Sequence, residues 1–227
     1  MPRFVAPLLA LTVLLSGCGS DPAPPESITV TFVRHAQSQA NADGVIDTTV
    51  PGPGITGEGE QQGQQVADEL RGKDFDGIYA SSMIRTQQTA APLARELGEQ
   101  VDVLPGLKEI PAGWFEGSPQ DAAAMTYFLA PELWLQGQRS ARIPGAIDGN
   151  EFIDEFTGAM QRIYDSGDKN VVAFSHGAAI AVWTQLTVSN TDANLLMSHP
   201  LPNVGQVVIE GNPVTGWQLV SWDGLSG

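Results

Sequence analysis

Five side chains in the sequence have types and settings suited to chemistry. An apolar, β-branched run ends on Arg34-His35, and a second apolar run, Asn170 to Phe174, ends on Ser175-His176-Gly177. Between them lie Arg85, in the opening turn of a helical pattern, and Glu109, in an aromatic, proline-containing stretch. Guanidinium groups are fork-shaped donors matched to oxyanions. Imidazole is a nucleophile and proton carrier near neutral pH, and a carboxylic acid can hand a proton to a departing alkoxide. Taken singly, each has a plainer account: a solvated arginine, a loop carboxylate, a histidine hydrogen-bonded to the backbone. Taken together they could bind a phosphoryl group and move it.

The elements that must position these residues follow from the apolar pattern. Val30 to Val33 and Asn170 to Phe174 read as buried strands, with further short strands at Phe75 to Ala80 and Val101 to Leu104. Thr56 caps a helix whose first turn holds Glu58 and Glu60, with Val66, Ala67 and Leu70 on its inner face and Gly72 at its end. Ser81 or Ser82 is expected to cap the helix of Arg85, in which Pro92 is a possible kink. Asn150 to Tyr164 has the clearest helical period, through Phe152, Phe156, Ala159, Met160 and Ile163. Ala178 to Leu186 follows the second histidine as a helix. Val204 to Ile209 and Trp217 to Trp222 suit a terminal hairpin through Gly211-Asn212-Pro213. Strands alternating with helices indicate an α/β fold: a three-layer sandwich with a mostly parallel central sheet and helices on both faces. In such sheets ligands bind outside the carboxyl ends of the strands, where both Arg34-His35 and His176 fall. A helix runs from Ser118-Pro119 to about Ala130, and the aromatic stretch Tyr127 to Trp134 suits either a lid-like insert at about 118–148 or ordinary core packing, since aromatics at helical spacing usually mean burial; Leu107 to Gly117 is expected to fold over the pocket mouth.

Five motifs in order resemble the histidine phosphatase superfamily, which includes the cofactor-dependent phosphoglycerate mutases. VRHAQSQAN is similar to its Arg-His-Gly signature, with Asn41 six residues after His35; Ile55-Thr56-x-x-Gly59-x-x-Gln62 is similar to its helix start. SSMIRTQQTA resembles the second-arginine motif, LKEIPAGWFEG the segment carrying the acid, and FSHG the second-histidine motif. The likeness covers about Ile28 to Trp222 and implies a phosphoglycerate-mutase-like fold. It makes His35 the nucleophile that becomes a phosphohistidine, Glu109 the acid and then the base, and Arg34, Arg85 and His176 the phosphate clamp, His176 adding a cation if a negative partner or the bound phosphate keeps it protonated, with Asn41 and Ser81 assisting. No metal or cofactor is implied: no His/Asp/Glu grouping has ligand spacing, and the arginines would repel a cation. Ala36 stands where the family has Gly. If that position needs positive φ, the methyl group costs roughly 1 kcal/mol or more; an extended conformation accepts it.

The ends and the charge complete the expectation. Residues 1–17 read as a signal peptide: Arg3, an apolar run from Phe4, then Leu15-Ser16-Gly17-Cys18, which resembles the lipobox of bacterial lipoproteins. Cys18, the chain's only cysteine, would then be lipidated, and residues 18–27 would tether the domain at 28–227 to the outer face of the cell membrane. A net charge of −15 argues against nucleic acid as a partner. It also means that any phosphate site is a local cluster of arginines in an unfavourable field. The expected activity is a metal-independent phosphomonoesterase acting on a small phosphorylated substrate outside the cytoplasm. The alternatives are phosphoglycerate-mutase-type transfer, or a catalytically idle lipoprotein that binds a phosphorylated ligand. Lys108, Glu116, Arg139 and Arg142 read as solvated charges, and His199 as structural or at the pocket rim.

Overall fold

The computed structural model describes Met1, residues 25–191 and residues 198–227. Cys18, the expected signal segment and most of the expected tether lie outside the described residues. Among the described residues, seven strands form one sheet in the order β3-β2-β4-β1-β5-β6-β7. They are β1 Ile28–Arg34, β2 Gly77–Ala80, β3 Val101–Val103, β4 Asn170–Ser175, β5 Gln206–Asn212, β6 Gly216–Trp222 and β7 Leu225–Ser226. The pairs β1–β4, β2–β4 and β2–β3 are parallel, while β5, β6 and β7 extend the sheet beyond β1 as antiparallel strands. The α/β reading therefore holds, with a parallel core and an antiparallel wing made by the expected hairpin.

Alternation along the central strands divides the molecule into layers, because successive side chains point to opposite faces. Val33, Ile78, Ala80, Val172 and Phe174 pack on α2 (Gly57–Leu70) and α3 (Ile84–Leu97) through Val66, Leu70, Ala90 and Leu93. Ile28, Val30, Phe32, Val171 and Ala173 share the other core with α4 (Leu129–Leu135), α5 (Gly149–Ser166) and α6 (Gly177–Thr187). Fully burying an aromatic such as Phe32, Phe156 or Trp183, all at or below 1% exposure, contributes about 1.5–3 kcal/mol each. Their rings form a continuous cluster, with Trp183 5.9 Å from Phe32 and 5.1 Å from Phe156.

From β1 the chain leaves toward the α2 face, and from adjacent β4 it leaves through α6 toward the opposite face. The carboxyl ends of β1 and β4 therefore flank a topological switch point, where a crevice opens.

Several local readings need correction. The helix of Arg85 begins at Ile84 with Met83 as cap residue and no side-chain cap; Ser81 lies farther back at the strand end, inside the protein. Pro92 is accommodated within a helix that runs on to Leu97. Ser118-Pro119 starts no α-helix. A 3₁₀ stretch, Gln120–Met125, follows, and Pro131 lies in the first turn of α4, where its missing N–H has no intrahelical partner to lose. The loop after His35 contains a short helix, α1 (Gln39–Ala42), closed by a capping box between Ser38 and Asn41. Helix α5 is capped the same way by Asp148 and Glu151.

Candidate active site

Two glycines let the strand ends converge. A Cβ on Gly177 would stand 3.2 Å from the Cδ and Nε atoms of Arg34, a tight contact, so glycine here lets Arg34 lie across the start of α6 without being pushed aside. A Cβ on Gly59 would sit 2.2 Å from the carbonyl oxygen of Gln37, so the first turn of α2 can press directly on the loop after His35. Gln62 accepts from the Gln37 N–H at 2.8 Å, and Thr56 Oγ1 donates to the Gln37 side chain at 2.7 Å while capping α2 through Gly59. The Thr-x-x-Gly-x-x-Gln pattern is thus a brace behind the Arg34-His35 corner. A turn at residues 202–205 holds the other side. Arg34 N–H donates to Gly205, Val204 N–H donates to Arg34, and Asn203 Nδ2 donates to the His35 carbonyl at 2.9 Å. Val204 takes φ 56° to do so, a conformation costly for a β-branched residue and kept in place by these bonds.

His35 is 4% exposed, and its tautomer is set by its neighbours. Nδ1 lies 2.7 Å from the Ala36 carbonyl, which can only accept, so Nδ1 carries the hydrogen and Nε2 keeps its lone pair. Arg85 Nε donates to that Nε2 at 3.2 Å. Burial first, then the charges of Arg85 and Arg34, hold the His35 imidazole well below its ordinary pKa and so neutral. Ala36 is not among the residues with positive φ; its N–H donates to Thr89 Oγ1 at 3.0 Å. The methyl group in place of the family glycine therefore adds no backbone strain.

Arg85 is 3% exposed and anchored by Nη2 on the Asp47 carbonyl at 3.1 Å, and Arg34 by Nη1 on the Leu201 carbonyl at 2.6 Å. His176 lies behind His35, ring centroids 5.1 Å apart, with Nε2 2.8 Å from Ser81 Oγ. Burial and the same arginines hold His176 well below its ordinary pKa, so its ring is neutral unless an anion is bound beside it. Ser81, fully buried between His176, Thr86 and Met83, does not line the cavity; it supports the His176 ring instead. Asn41 does line it, its Oδ1 taken by the Ser38 N–H and Asn203 Nδ2.

Glu109 reaches the start of α6. Its Oε1 accepts from the N–H groups of Ile110 at 2.9 Å and Ala179 at 2.8 Å, and Oε2 only a longer bond from Ala178 at 3.3 Å. Burial raises its pKa, outweighing these N–H groups and Arg85, so the carboxyl holds a proton above the usual carboxylate range.

Arg34, His35, Arg85, Glu109 and Asn41 thus line one cavity of about 440 Å³ at the switch point. Among the described residues, two buried donor atoms on lining side chains, Arg34 Nε and Arg85 Nη1, have no partner, and neither has Nδ1 of His176, which lies behind His35 and does not itself line the cavity. Orphaned polar groups at a cavity are costly unless a ligand meets them. Trp114, 80% exposed, and Phe115 do not cover the mouth, contrary to expectation. The outer wall comes from Val45 to Thr48 and from Ala123, Tyr127, Phe128, Pro131 and Glu132. Lys108 pairs with Glu155, Arg142 with Asp148 and Glu151, and Glu116 accepts from Thr48, so none of these stands at the cavity. His199 is exposed and gives its carbonyl to Trp222. Among the described residues no three His, Cys, Asp or Glu side chains are grouped to hold a metal ion. The roles of Thr89, Asn203 and the Leu201 and Asp47 carbonyls had no signal in the sequence, since they act through hydrogen bonds between distant segments.

Residues 30–224 match the model of the Histidine phosphatase superfamily (branch 1). The chain is 47% identical over 216 residues to PE-PGRS family protein PE_PGRS11 of Mycobacterium tuberculosis, covering 88% of this chain and 37% of that one. It is 27% identical over 201 residues to 2-carboxy-D-arabinitol-1-phosphatase of Triticum aestivum, covering 86% and 40%. The chain thus spans about two fifths of the length of these curated relatives. Among solved structures, Mycobacterial hydrolase 1 superposes with TM-score 0.71 at 19% identity, covering 88% of this chain and 100% of that one.

Proposed function

The chain belongs to the histidine phosphatase superfamily, branch 1, and from that premise we propose that it is a phosphomonoesterase working through a phosphohistidine. The observation that carries the reading is a pair of unpaired guanidinium donors, Arg34 Nε and Arg85 Nη1, on cavity-lining arginines beside a neutral His35 whose Nε2 takes the Arg85 Nε hydrogen, with His176 Nδ1 unpaired in the ring behind. A phosphoryl group bound there meets two guanidiniums, and Arg85 exchanges its hold on His35 for the phosphate. His176, receiving the Ser81 hydroxyl hydrogen at Nε2, donates from Nδ1. Asn41 is left with Nδ2 to donate. The charge of the equatorial oxygens is met by these side chains, so the mechanism needs no metal.

His35 Nε2 then attacks phosphorus in line. The P–O ester bond breaks as the Glu109 proton passes to the leaving oxygen, giving phosphohistidine, Glu109 carboxylate and free alcohol. Water next gives a proton to Glu109 and its oxygen attacks phosphorus. The P–N bond breaks, its electron pair returns to Nε2, and inorganic phosphate leaves.

The test uses purified protein with p-nitrophenyl phosphate and a phosphoglycerate pair. Wild type should release phosphate and, after rapid quenching, carry acid-labile phosphate; His35→Ala should do neither. Transfer between phosphoglycerates without release would instead indicate mutase chemistry, and no turnover by wild type an idle binding protein. As to location, the motif ending in Cys18 supports a lipid-anchored protein outside the cytoplasm. Wild type should enter the detergent phase and Cys18→Ser the aqueous phase, and equal partitioning would remove the anchor.

A further inference from the structure

We propose that this cavity selects phosphate esters of uncharged, largely apolar alcohols, and that Glu132 is the residue that turns away leaving groups carrying a second negative charge. The inference rests on the phosphatase reading and specifies its substrate class.

The cavity is chemically divided. Its inner end holds Arg34, His35, Arg85 and Glu109 against the first turn of α6 at Gly177 and Ala178. Beyond them the wall is mostly apolar, with Val45, Ile46, Ala123, Phe128, Leu201 and the ring of Tyr127; of its neutral polar members, the hydroxyls of Ser38 and Thr48 and the Gln120 amide N–H are engaged within the protein. The Tyr127 hydroxyl is already committed to the Ile110 carbonyl at 2.6 Å, and its ring lies 4.8 Å from that of Phe128, so this side offers the leaving group aromatic surface more than hydrogen bonds.

The charges sharpen the division. Arg34 and Arg85 are the only lysine or arginine side chains among the lining residues, and both are consumed by the phosphoryl group. The acidic side chains lining the outer part are Asp47 and Glu132. Asp47 is turned toward its own loop, Oδ1 accepting from the N–H and hydroxyl of Thr49, and it lies near enough to Arg85 to act on that charge. Glu132, in the first turn of α4 beside buried Pro131, is in none of the salt bridges among the described residues. A carboxylate or second phosphate on the leaving group would therefore meet an apolar wall and an uncompensated carboxylate, and no cation. Like charges brought together in a partly dehydrated site are strongly disfavoured.

The probes are phenyl phosphate, 4-carbamoylphenyl phosphate and 4-carboxyphenyl phosphate, the last two matched in size and differing in charge. Wild type should favour the carbamoyl over the carboxyl ester in kcat/KM by about tenfold or more. Glu132→Gln should narrow that ratio and Glu132→Lys bring it to one or below. Equal use of the two esters by wild type, or a ratio unmoved by both substitutions, while phenyl phosphate is still hydrolysed, would overturn the selectivity and leave the phosphatase reading standing. Failure of wild type to hydrolyse any of the three esters would overturn both.

Discussion

At the scale of the residue, the site depends on two groups whose proton affinity burial shifts in opposite directions from that of their exposed counterparts, His35 downward and Glu109 upward. His35 is held neutral by burial and by Arg85 and Arg34, so its imidazole stays a nucleophile well below pH 6.5, the ordinary histidine value. Glu109 is held protonated by burial above 4.5, its ordinary value. The free protein is competent where His35 has lost its proton and Glu109 has kept one. The kcat/KM for an alkyl phosphate should therefore persist as pH falls through the histidine range and decline as pH rises through the raised pKa of Glu109. Glu109→Gln should abolish that alkaline limb and slow alkyl phosphates by about 10²–10⁴-fold, with a much smaller loss for p-nitrophenyl phosphate, whose leaving group needs no proton. Equal losses for both ester classes would argue against the acid role. The sequence exposed Arg34, Arg85, His35, Glu109 and His176 because each sits in a motif. It misplaced Ser81 because strand-end serines serve equally as helix caps, ligand donors or buried struts, and only the start of α3 at Ile84 decides between them.

At the scale of the element, precision comes from close backbone approaches more than from side-chain bulk. The first turn of α2 abuts the Gln37 carbonyl only because residue 59 has no Cβ. Gly59→Ala should thus force the loop after His35 to move. An overpacking cost of about 1–3 kcal/mol is expected in urea unfolding, together with a drop in kcat/KM as Arg34 and His35 lose register. A change in stability with unchanged kinetics would show that the brace does not reach the site. These central elements were legible because β4 is apolar on both faces, β1 is β-branched with one wholly apolar face, and α2 and α5 carry clear caps and stripes. The 118–148 region was not. Its aromatics divide between jobs that share one composition: Tyr127 and Phe128 line the cavity, whereas Trp134 is fully buried and stacked on Phe152 in the core.

At the scale of the whole molecule, the site is a cationic depression in a chain of net charge −15. Binding an anion there satisfies donors that folding leaves unpaired, so inorganic phosphate should stabilise the native state. At a concentration a hundred times its Kd the gain is about 2.7 kcal/mol. The thermal midpoint of wild type should rise accordingly and that of Arg85→Ala should not; an equal rise in both would place the phosphate elsewhere. The ends of the sheet carry a different consequence. Its outermost strands, β3 and β7, are three and two residues long, too short to offer a neighbouring copy a row of free backbone groups. Copies crowded together at high concentration therefore find little to recruit, and light scattering from the folded protein should stay proportional to concentration where a longer exposed edge would seed fibrils.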